Sequence, residues 1–286
     1  MTTLLKLKYP KIKSIFKITE PSQAPIIGDV SFVNKPGKFP MIIFCHGYKG
    51  FKDWGAWNNV AKSFQKKDIH FSKFNFSLNG GTLENPIDFP DLKAFARNTY
   101  TQEVNDLSNV INHMVSEHKN ITSSIFLVGH SRGGGIALLN SLNEKIDGVI
   151  TWASVADYES RFPKGKELEN WIKAGVRYIT NSRTKQQMPH NINFYNDFLK
   201  NKEKLSIENV VKKLKKPQLI IHGERDQAVD VSQAYLLKKW NPSAELKTFK
   251  ASHTFNSSHP WTKDSLPNEL DLAVNYTADF ILNYHD

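Results

Sequence analysis

Runs of apolar residues alternate with amphipathic stretches along most of the chain. Short apolar runs predict strands, and apolar residues spaced three or four positions apart predict helices. The predicted strands cover 26–33, 41–47, 69–76, 123–130, 146–154, 217–226 and 244–249, after an N-terminal region whose alternating lysines and apolar residues predict an edge strand. The predicted helices cover 57–67, 101–118, the stretch directly after residue 131, 232–240 and 268–284. This order predicts an α/β fold, with a mostly parallel sheet of about eight strands flanked by helices.

One long segment interrupts this alternation. Between the strands at 146–154 and 217–226, three helix-like pieces occur at 167–180, 193–200 and 206–213, and no convincing strand. A connection of about sixty residues is too long for an ordinary loop between a helix and a strand. We therefore predict a small helical cap at 156–215, inserted into a core formed by 1–155 and 216–286.

Length and composition limit the class of protein. The chain has 286 residues, of which 40% are hydrophobic, so it can bury a large core. Charged residues interrupt every apolar stretch before it could span a membrane, and the N-terminus lacks the apolar core of a secretory signal. The single cysteine, Cys45, excludes an internal disulfide. These features predict a cytoplasmic protein with no membrane partner.

The net charge of +10 does not change the predicted class of protein. Lysines are scattered, the one dense run at 210–217 is typical of the polar face and end of a helix, and no nucleic-acid-binding module is visible. We predict no nucleic-acid partner. A positive field can still attract anionic substrates or acidic surfaces.

The sequence LVGHSRGGGI at 127–136 carries the first candidate for chemistry. Gly129, Ser131 and Gly133 form the pattern G-x-S-x-G, between a predicted strand and a predicted helix. In this nucleophile elbow a sharp turn exposes a serine hydroxyl, and its small neighbours permit close contact between main chains. The sequence therefore predicts that Ser131 is a nucleophile.

A serine nucleophile needs a base and a group that orients the base. Asp226 follows the strand at 217–226, and His253 follows the last strand, so both are expected at the sheet edge that carries Ser131. Asp230 and His259 are the alternatives, and Asp226 can instead be a turn residue. His130 and His222 lie in strands and are predicted to be packed, hydrogen-bonded imidazoles. No metal-ligand spacing occurs, and we predict no metal and no cofactor.

Candidates for stabilising the oxyanion and for binding substrate come from loops and from the predicted cap. The oxyanion donors are predicted to be the backbone N–H groups of Arg132, which follows the nucleophile, and of Tyr48, in the loop CHGYKGFKDWG. The aromatic side chains of this loop either line a substrate pocket or pack the loop itself. The candidate substrate-binding residues are Phe51, Trp54, Trp171, Tyr178 and Tyr195, and the predicted cap also carries Phe194 and Phe198.

Four motifs in this order resemble one family of enzymes: HGYKGFKDWG, GHSRGG, IIHGERDQAV and ASHTF. Over about residues 25–285 the chain is similar to the α/β-hydrolases of the dienelactone-hydrolase-like and prolyl-oligopeptidase-like branch, in particular to small bacterial carboxylesterases that include cinnamoyl esterases. The resemblance implies the α/β-hydrolase fold, with Ser131 served by Asp226 and His253. Dienelactone hydrolases proper use a cysteine nucleophile, and this chain has a serine.

The complete set of residues predicts a serine hydrolase that cleaves a small carboxylic ester through an acyl-enzyme intermediate. A peptidase or amidase of the same branch is the alternative among enzymes. A non-catalytic binding protein on the same scaffold is the alternative from another class. The expected partner is the small-molecule ester, and we expect a monomer or a homodimer.

Overall fold

The computed structural model describes residues 13–19 and 24–285 of the chain. This part contains an eight-stranded sheet. Its strands are β1 (Lys13–Ile18), β2 (Ile26–Ser31), β3 (Phe39–Cys45), β4 (His70–Asn75), β5 (Thr122–His130), β6 (Gly148–Trp152), β9 (Gln218–Gly223) and β10 (Glu245–Phe249). Their order across the sheet is β1-β2-β4-β3-β5-β6-β9-β10. The helices around it are α1 (Trp57–Lys66), α2 (Leu92–Arg97), α3 (Tyr100–His118), α4 (Arg132–Asn140), α8 (Ser232–Trp240) and α9 (Asn268–Leu282).

The predicted mostly parallel sheet is confirmed. Strands β1 and β2 pair antiparallel, as do β2 and β4, and the pairs from β4 to β10 are parallel. The central strands are buried on both faces, which explains their continuous apolar runs. The predicted N-terminal edge strand includes β1; residues 1–12 of that region lie outside the described residues.

Two hydrophobic layers cover the two faces of the sheet. Helices α1 and α9 contribute to one layer, with Trp57, Phe64 and Val274 in its core. Helices α3, α4 and α8 contribute to the other, which also contains the apolar stripe of α3. Because both faces are covered, polar groups that take part in chemistry must lie at an edge of the sheet.

The segment between β6 and β9 differs from the sequence prediction in one respect. It contains helices α5 (Gly165–Ala174), α6 (Asn193–Lys200) and α7 (Ile207–Lys213), and also a two-stranded hairpin of β7 (Val176–Thr180) and β8 (Gln187–Asn191). The predicted helix at 167–180 is therefore wrong beyond Ala174. Gly175 adopts φ +72°, which ends α5 in a left-handed turn that favours glycine.

Short 3₁₀ turns at Glu159–Arg161 and Asn283–His285 complete the described elements. None of the helices in residues 13–19 and 24–285 combines the length and the apolar composition that a membrane crossing requires.

Candidate active site

Ser131 lies at the turn between β5 and α4. Its backbone adopts φ 58° and ψ −121°, a strained conformation for a residue with a side chain. The neighbouring glycines make this turn possible: a Cβ on Gly129 would overlap the carbonyl oxygen of Gly133, and a Cβ on Gly133 would overlap the carbonyl oxygen of His46. The strand, the strained turn and the helix form the nucleophile elbow expected from the glycine spacing.

Three side chains from distant parts of the chain form a continuous hydrogen-bonded chain. The Oγ of Ser131 lies 2.9 Å from Nε2 of His253, and Nδ1 of His253 lies 2.7 Å from Oδ2 of Asp226. The carboxylate can only accept, so Nδ1 carries a proton and Nε2 is left to accept from the serine hydroxyl. An imidazole in this position can remove the proton of the hydroxyl as the oxygen attacks a carbonyl carbon.

The backbone fixes the carboxylate of Asp226 in this position. Its Oδ1 accepts hydrogen bonds from the N–H groups of Ala228 (2.8 Å) and Val229 (2.9 Å), and its side chain is fully buried. Burial acts to raise the pKa of the Asp226 carboxyl, but hydrogen bonds from His222 and His253 outweigh burial and hold this pKa well below its usual range. Asp226 therefore stays ionised at neutral pH and can stabilise a protonated His253.

Both rival residues have other partners. The Oδ1 of Asp230 accepts from the N–H of Ser232 at 2.9 Å, in an exposed turn. The Nδ1 of His259 accepts from the N–H of Gly55 at 2.8 Å and thereby fixes the loop after β3. The structure therefore brings Asp226 and His253 to Ser131, and neither Asp230 nor His259.

The two other histidines of the motif strands are packed and hydrogen-bonded, as the sequence predicts. Nε2 of His130 donates to the carbonyl oxygen of His253 at 2.9 Å. Nε2 of His222 donates to the carbonyl oxygen of Val229 at 2.9 Å and lies 3.3 Å from Oδ2 of Asp226. Burial lowers the pKa of His130 to about 3, with a smaller contribution from the charge of His253. His130 is therefore a neutral group that supports the backbone of His253.

The two backbone N–H groups predicted to stabilise an oxyanion belong to segments that meet at Ser131. Arg132 is the first residue of α4, where the N–H groups of the first turn have no acceptor within the helix. Tyr48 follows Gly47 after β3, and a Cβ on Gly47 would lie 2.9 Å from the Cβ of Ser131. The loop after β3 therefore passes directly beside the serine.

Two cavities open on either side of Ser131 and His253. The first cavity has a volume of about 380 Å³, and residues after β6 contribute much of its wall: Tyr158, Arg161, Arg177, Ile179, His190 and Phe194. The second cavity has a volume of about 220 Å³ and is lined by residues that include His46, Trp54, Trp57, His130, Asn181 and Arg183. Ser131, His253, Tyr48 and Lys49 border both cavities. A substrate can therefore extend from the serine in two directions.

Of the five aromatic candidates for substrate binding, only Trp54 borders a cavity. Phe51 is fully buried in a small aromatic cluster, because the loop after β3 folds onto α2 and β8. Trp171 is buried, and its indole N–H donates to the carbonyl oxygen of His190 at 2.8 Å. Tyr195 packs against Trp171, and Tyr178 is 61% exposed on the hairpin. Phe51, Trp171, Tyr178 and Tyr195 border neither of the two cavities, and their part in substrate binding stays a prediction.

Several residues that line the first cavity were not predicted from the sequence to bind substrate. Arg132 borders this cavity, and its guanidinium carbon lies 4.2 Å from the ring centre of Tyr48. The phenol oxygen of Tyr48 is hydrogen-bonded to Nε2 of His190 at 2.7 Å. His190 lies on β8, an element that the hydrophobic pattern did not indicate. The position of Arg132 in the sequence could have indicated this role: it directly follows Ser131, so its side chain must lie near the same site.

Metal ligands are not clustered in the described residues. In residues 13–19 and 24–285, no group of three or more His, Cys, Asp or Glu side chains is arranged to hold a metal ion.

Comparison with known proteins identifies the family. The family model BD-FAE matches residues 32–241. The chain is 24% identical to the monoacylglycerol lipase ABHD6 of Rattus norvegicus, over 87% of this chain and 78% of the lipase. It is also 24% identical to the uncharacterized peptidase YtmA of Bacillus subtilis, but that match covers only 44% of each chain.

Solved structures share the fold at low sequence identity. The esterase Est1E from Butyrivibrio proteoclasticus, in a structure with ferulic acid bound, superimposes with a TM-score of 0.72 at 18% identity, covering 94% of this chain and 98% of Est1E. The fold is therefore that of the α/β-hydrolases, as the sequence motifs imply. Since the family model covers most of the sequence, the chain belongs to the BD-FAE family of α/β-hydrolases.

Proposed function

We propose that this protein is a serine hydrolase that cleaves carboxylic esters through an acyl-enzyme intermediate. The observation that carries the proposal is the hydrogen-bonded chain from Ser131 Oγ through His253 to Asp226, with distances of 2.9 and 2.7 Å. The distance of 2.9 Å between Ser131 and His253 is within the range for proton transfer between a nucleophile and its base, and the distance of 2.7 Å between His253 and Asp226 is that of a charge-assisted hydrogen bond. The esterase and lipase names among similar proteins support the same class of reaction.

The proposed reaction has two halves. In the first, Ser131 Oγ attacks the ester carbonyl carbon while His253 Nε2 takes the hydroxyl proton. His253 then returns this proton to the leaving alkoxide as the ester C–O bond breaks, and the acyl group remains on the serine. In the second half, a water molecule attacks the carbonyl carbon of the acyl-enzyme while His253 takes a proton from it. His253 then gives this proton to Ser131 Oγ as the bond between the serine oxygen and the acyl group breaks, which releases the carboxylic acid and restores the serine hydroxyl.

The backbone supplies the proposed oxyanion stabilisation. The N–H groups of Tyr48 and Arg132 would donate to the carbonyl oxygen as it gains negative charge. Removing one such donor in other hydrolases costs about 2.7–4 kcal/mol of transition-state stabilisation. Asp226 would stabilise the imidazolium form of His253 without taking a proton itself.

The segment 156–215 is proposed to act as a cap that shapes the first cavity. Six residues of this segment border that cavity, which supports the assignment. The acyl and alcohol parts of the ester would occupy the two cavities on either side of Ser131.

A fluorophosphonate probe tests the proposed nucleophile. Intact-mass analysis should show one adduct on the unmodified protein and none on Ser131→Ala. Ser160→Ala is the matched control, because Ser160 is exposed and borders neither cavity. An adduct that persists in Ser131→Ala would contradict the proposal, because another residue would then be the reactive nucleophile. No adduct on the unmodified protein would also contradict it and would favour the non-catalytic alternative.

The reaction class needs a second measurement. p-Nitrophenyl butyrate and the p-nitroanilide of butyric acid carry the same acyl group on an ester and on an amide. We expect release of nitrophenol and much slower release of nitroaniline. A higher kcat/KM for the anilide would make the protein an amidase or peptidase instead.

A further inference from the structure

The first cavity is lined by four basic side chains. Lys49, Arg132, Arg161 and Arg177 all border it. Among the described residues, no aspartate or glutamate does so. A wall that carries several positive charges and no negative charge attracts anions, and the low dielectric of a cavity strengthens that attraction.

Only two of these four cations have a carboxylate partner. Arg132 pairs with the buried Glu103 at 3.4 Å, and Arg177 pairs at 3.3 Å with Glu167, whose side chain is 72% exposed. Arg161 donates to the carbonyl oxygen of Ala228 at 3.1 Å. Within residues 13–19 and 24–285, neither Arg161 nor Lys49 has a carboxylate within 4.0 Å. The wall of the cavity therefore keeps an excess of positive charge.

Aromatic rings pack against the guanidinium groups of Arg132 and Arg177. The Cζ of Arg132 lies 4.2 Å from the ring centre of Tyr48, and the Cζ of Arg177 lies 4.5 Å from that of Trp171. The Nε of Arg177 is buried and has no hydrogen-bond partner in the structure. A buried donor without an acceptor is unfavourable, so the protein alone does not satisfy the hydrogen-bonding capacity of the Arg177 guanidinium.

His190 responds to the same charges. Burial, together with the positive charges of Arg132, Arg177 and Lys49, lowers its pKa to about 3. His190 is therefore neutral and leaves the charge of the cavity unchanged. Its hydrogen bond to the Tyr48 hydroxyl at 2.7 Å fixes both rings in the wall.

We propose that the first cavity binds an anionic oxygen group of the substrate, so that the preferred substrates are small esters that also carry a carboxylate or a phosphate. Arg161 and Arg177 are the specificity-determining residues, and the ester carbonyl lies at Ser131 where the two cavities meet. The volume of about 380 Å³ is at the small end for ligand pockets, which favours a short charged group over a long acyl chain. This inference rests on the proposed ester hydrolysis and adds the class of substrate to it.

Matched ester pairs test the charge preference. Monomethyl glutarate carries a carboxylate, and methyl 5-methylhexanoate has a neutral group of the same shape at that position. 1-Butyrylglycerol 3-phosphate and 1-butyrylglycerol form the corresponding pair for phosphate. We expect the anionic member of at least one pair to have a kcat/KM higher by roughly tenfold or more, which is the typical effect of one charge-assisted hydrogen bond. Equal values in both pairs, or a preference for the neutral members, would overturn the proposal.

Two variants assign the effect to the cavity. Arg161→Gln and Arg177→Gln should each lower the ratio of kcat/KM between anionic and neutral esters by about tenfold. Arg97→Gln removes the same charge from an exposed position on α2 that borders neither cavity, and should leave the ratio as in the unmodified protein. A ratio that falls equally in all three variants, or in none, would contradict the assignment.

Labelling of Ser131 provides a measurement on the unmodified protein, which holds even if a variant does not fold. Glutarate or inorganic phosphate should slow fluorophosphonate labelling of Ser131, whereas neutral glutaramide should not. If neither anion slows labelling more than glutaramide, the cavity does not bind anions. These measurements also distinguish the anion preference from the proposed function itself. If the protein is not an ester hydrolase, Ser131 takes no label and no ester of either pair is hydrolysed.

Discussion

The substitution Asp226→Asn tests the proposed mechanism most sharply, because the structure determines which way the new amide must face. Oδ1 of Asp226 accepts two backbone N–H groups, at 2.8 and 2.9 Å, and Oδ2 accepts Nδ1–H of His253 at 2.7 Å. An asparagine amide has only one oxygen. Two backbone N–H donors face Oδ1 at 2.8 and 2.9 Å, whereas the second donor at Oδ2, His222, is farther away at 3.3 Å. We therefore expect the amide oxygen at the Oδ1 position and the amide nitrogen directed at His253.

The expected magnitude follows from the tautomer of the imidazole. An amide N–H that faces Nδ1 forces Nδ1 to accept, which moves the ring proton to Nε2. A protonated Nε2 cannot accept the hydroxyl proton of Ser131, although it lies only 2.9 Å from Oγ. Reversing the tautomer in this way is expected to lower kcat by about 10⁴-fold, the effect of the corresponding change in a serine protease. This corresponds to about 5.5 kcal/mol of transition-state stabilisation.

The assay is kcat for p-nitrophenyl butyrate, with thermal melts to establish that each variant is folded. Asp230→Asn is the matched control, because its exposed carboxylate accepts from the N–H of Ser232 at 2.9 Å and borders neither cavity. Loss of a hydrogen bond in an exposed turn does not alter the site, so kcat should remain within about tenfold of the unmodified protein. An inactive Asp230→Asn together with an active Asp226→Asn would refute the reasoning.

Three further predictions follow from the structure. His253→Ala should lower kcat by several orders of magnitude, whereas His259→Ala should lower the melting temperature and keep kcat within about tenfold, because the His259 imidazole fixes a loop through the N–H of Gly55. Prolonged treatment with EDTA should leave hydrolysis unchanged, and a loss that added zinc restores would contradict the proposed chemistry. The free energy of unfolding should decrease as the pH falls from 6.5 towards 4.5, since three buried imidazoles bind protons only in the unfolded state. These are His46, whose pKa burial lowers to about 4, and His130 and His190, whose pKa values it lowers to about 3. Burial raises the pKa of Asp106 to about 6 and also raises the pKa of Glu103, so these two carboxyls take up protons in the folded state and offset part of the dependence. Urea titrations at several pH values measure this dependence, and a flat or reversed result would contradict it.

The sheet and the residues near Ser131 could be predicted because they depend on local patterns. Strands such as β3 and β5 are buried on both faces, so their sequences are continuous apolar runs with few alternatives. Ser131 is surrounded by glycines that the turn requires for steric reasons. Asp226 and His253 were predicted from their positions just after strands, and the parallel arrangement of β9 and β10 brings both strand ends to the same edge.

The hairpin after β6 could not be predicted in the same way. Strand β7 has the sequence VRYIT with intermediate or exposed residues throughout, and β8 contains Pro189. Neither strand has the apolar run of a buried strand, and β8 packs against α2, which is distant in sequence. One local signal was available: Gly175 marks the end of α5, because glycine readily adopts the left-handed turn that ends a helix.

The elements that were hardest to predict are also those that determine the shape and charge of the first cavity. Ser131, Asp226 and His253 all follow strands of the large sheet, and their geometry depends on close main-chain contacts that tolerate little change. Arg177 and His190, by contrast, lie on opposite strands of the hairpin and are paired in its register. A change in the hairpin sequence can therefore alter the charge of the cavity without moving the backbone that holds the serine. We therefore propose that the edge of the large sheet supplies the groups that cleave the ester bond, and that the segment between β6 and β9 determines the choice of substrate.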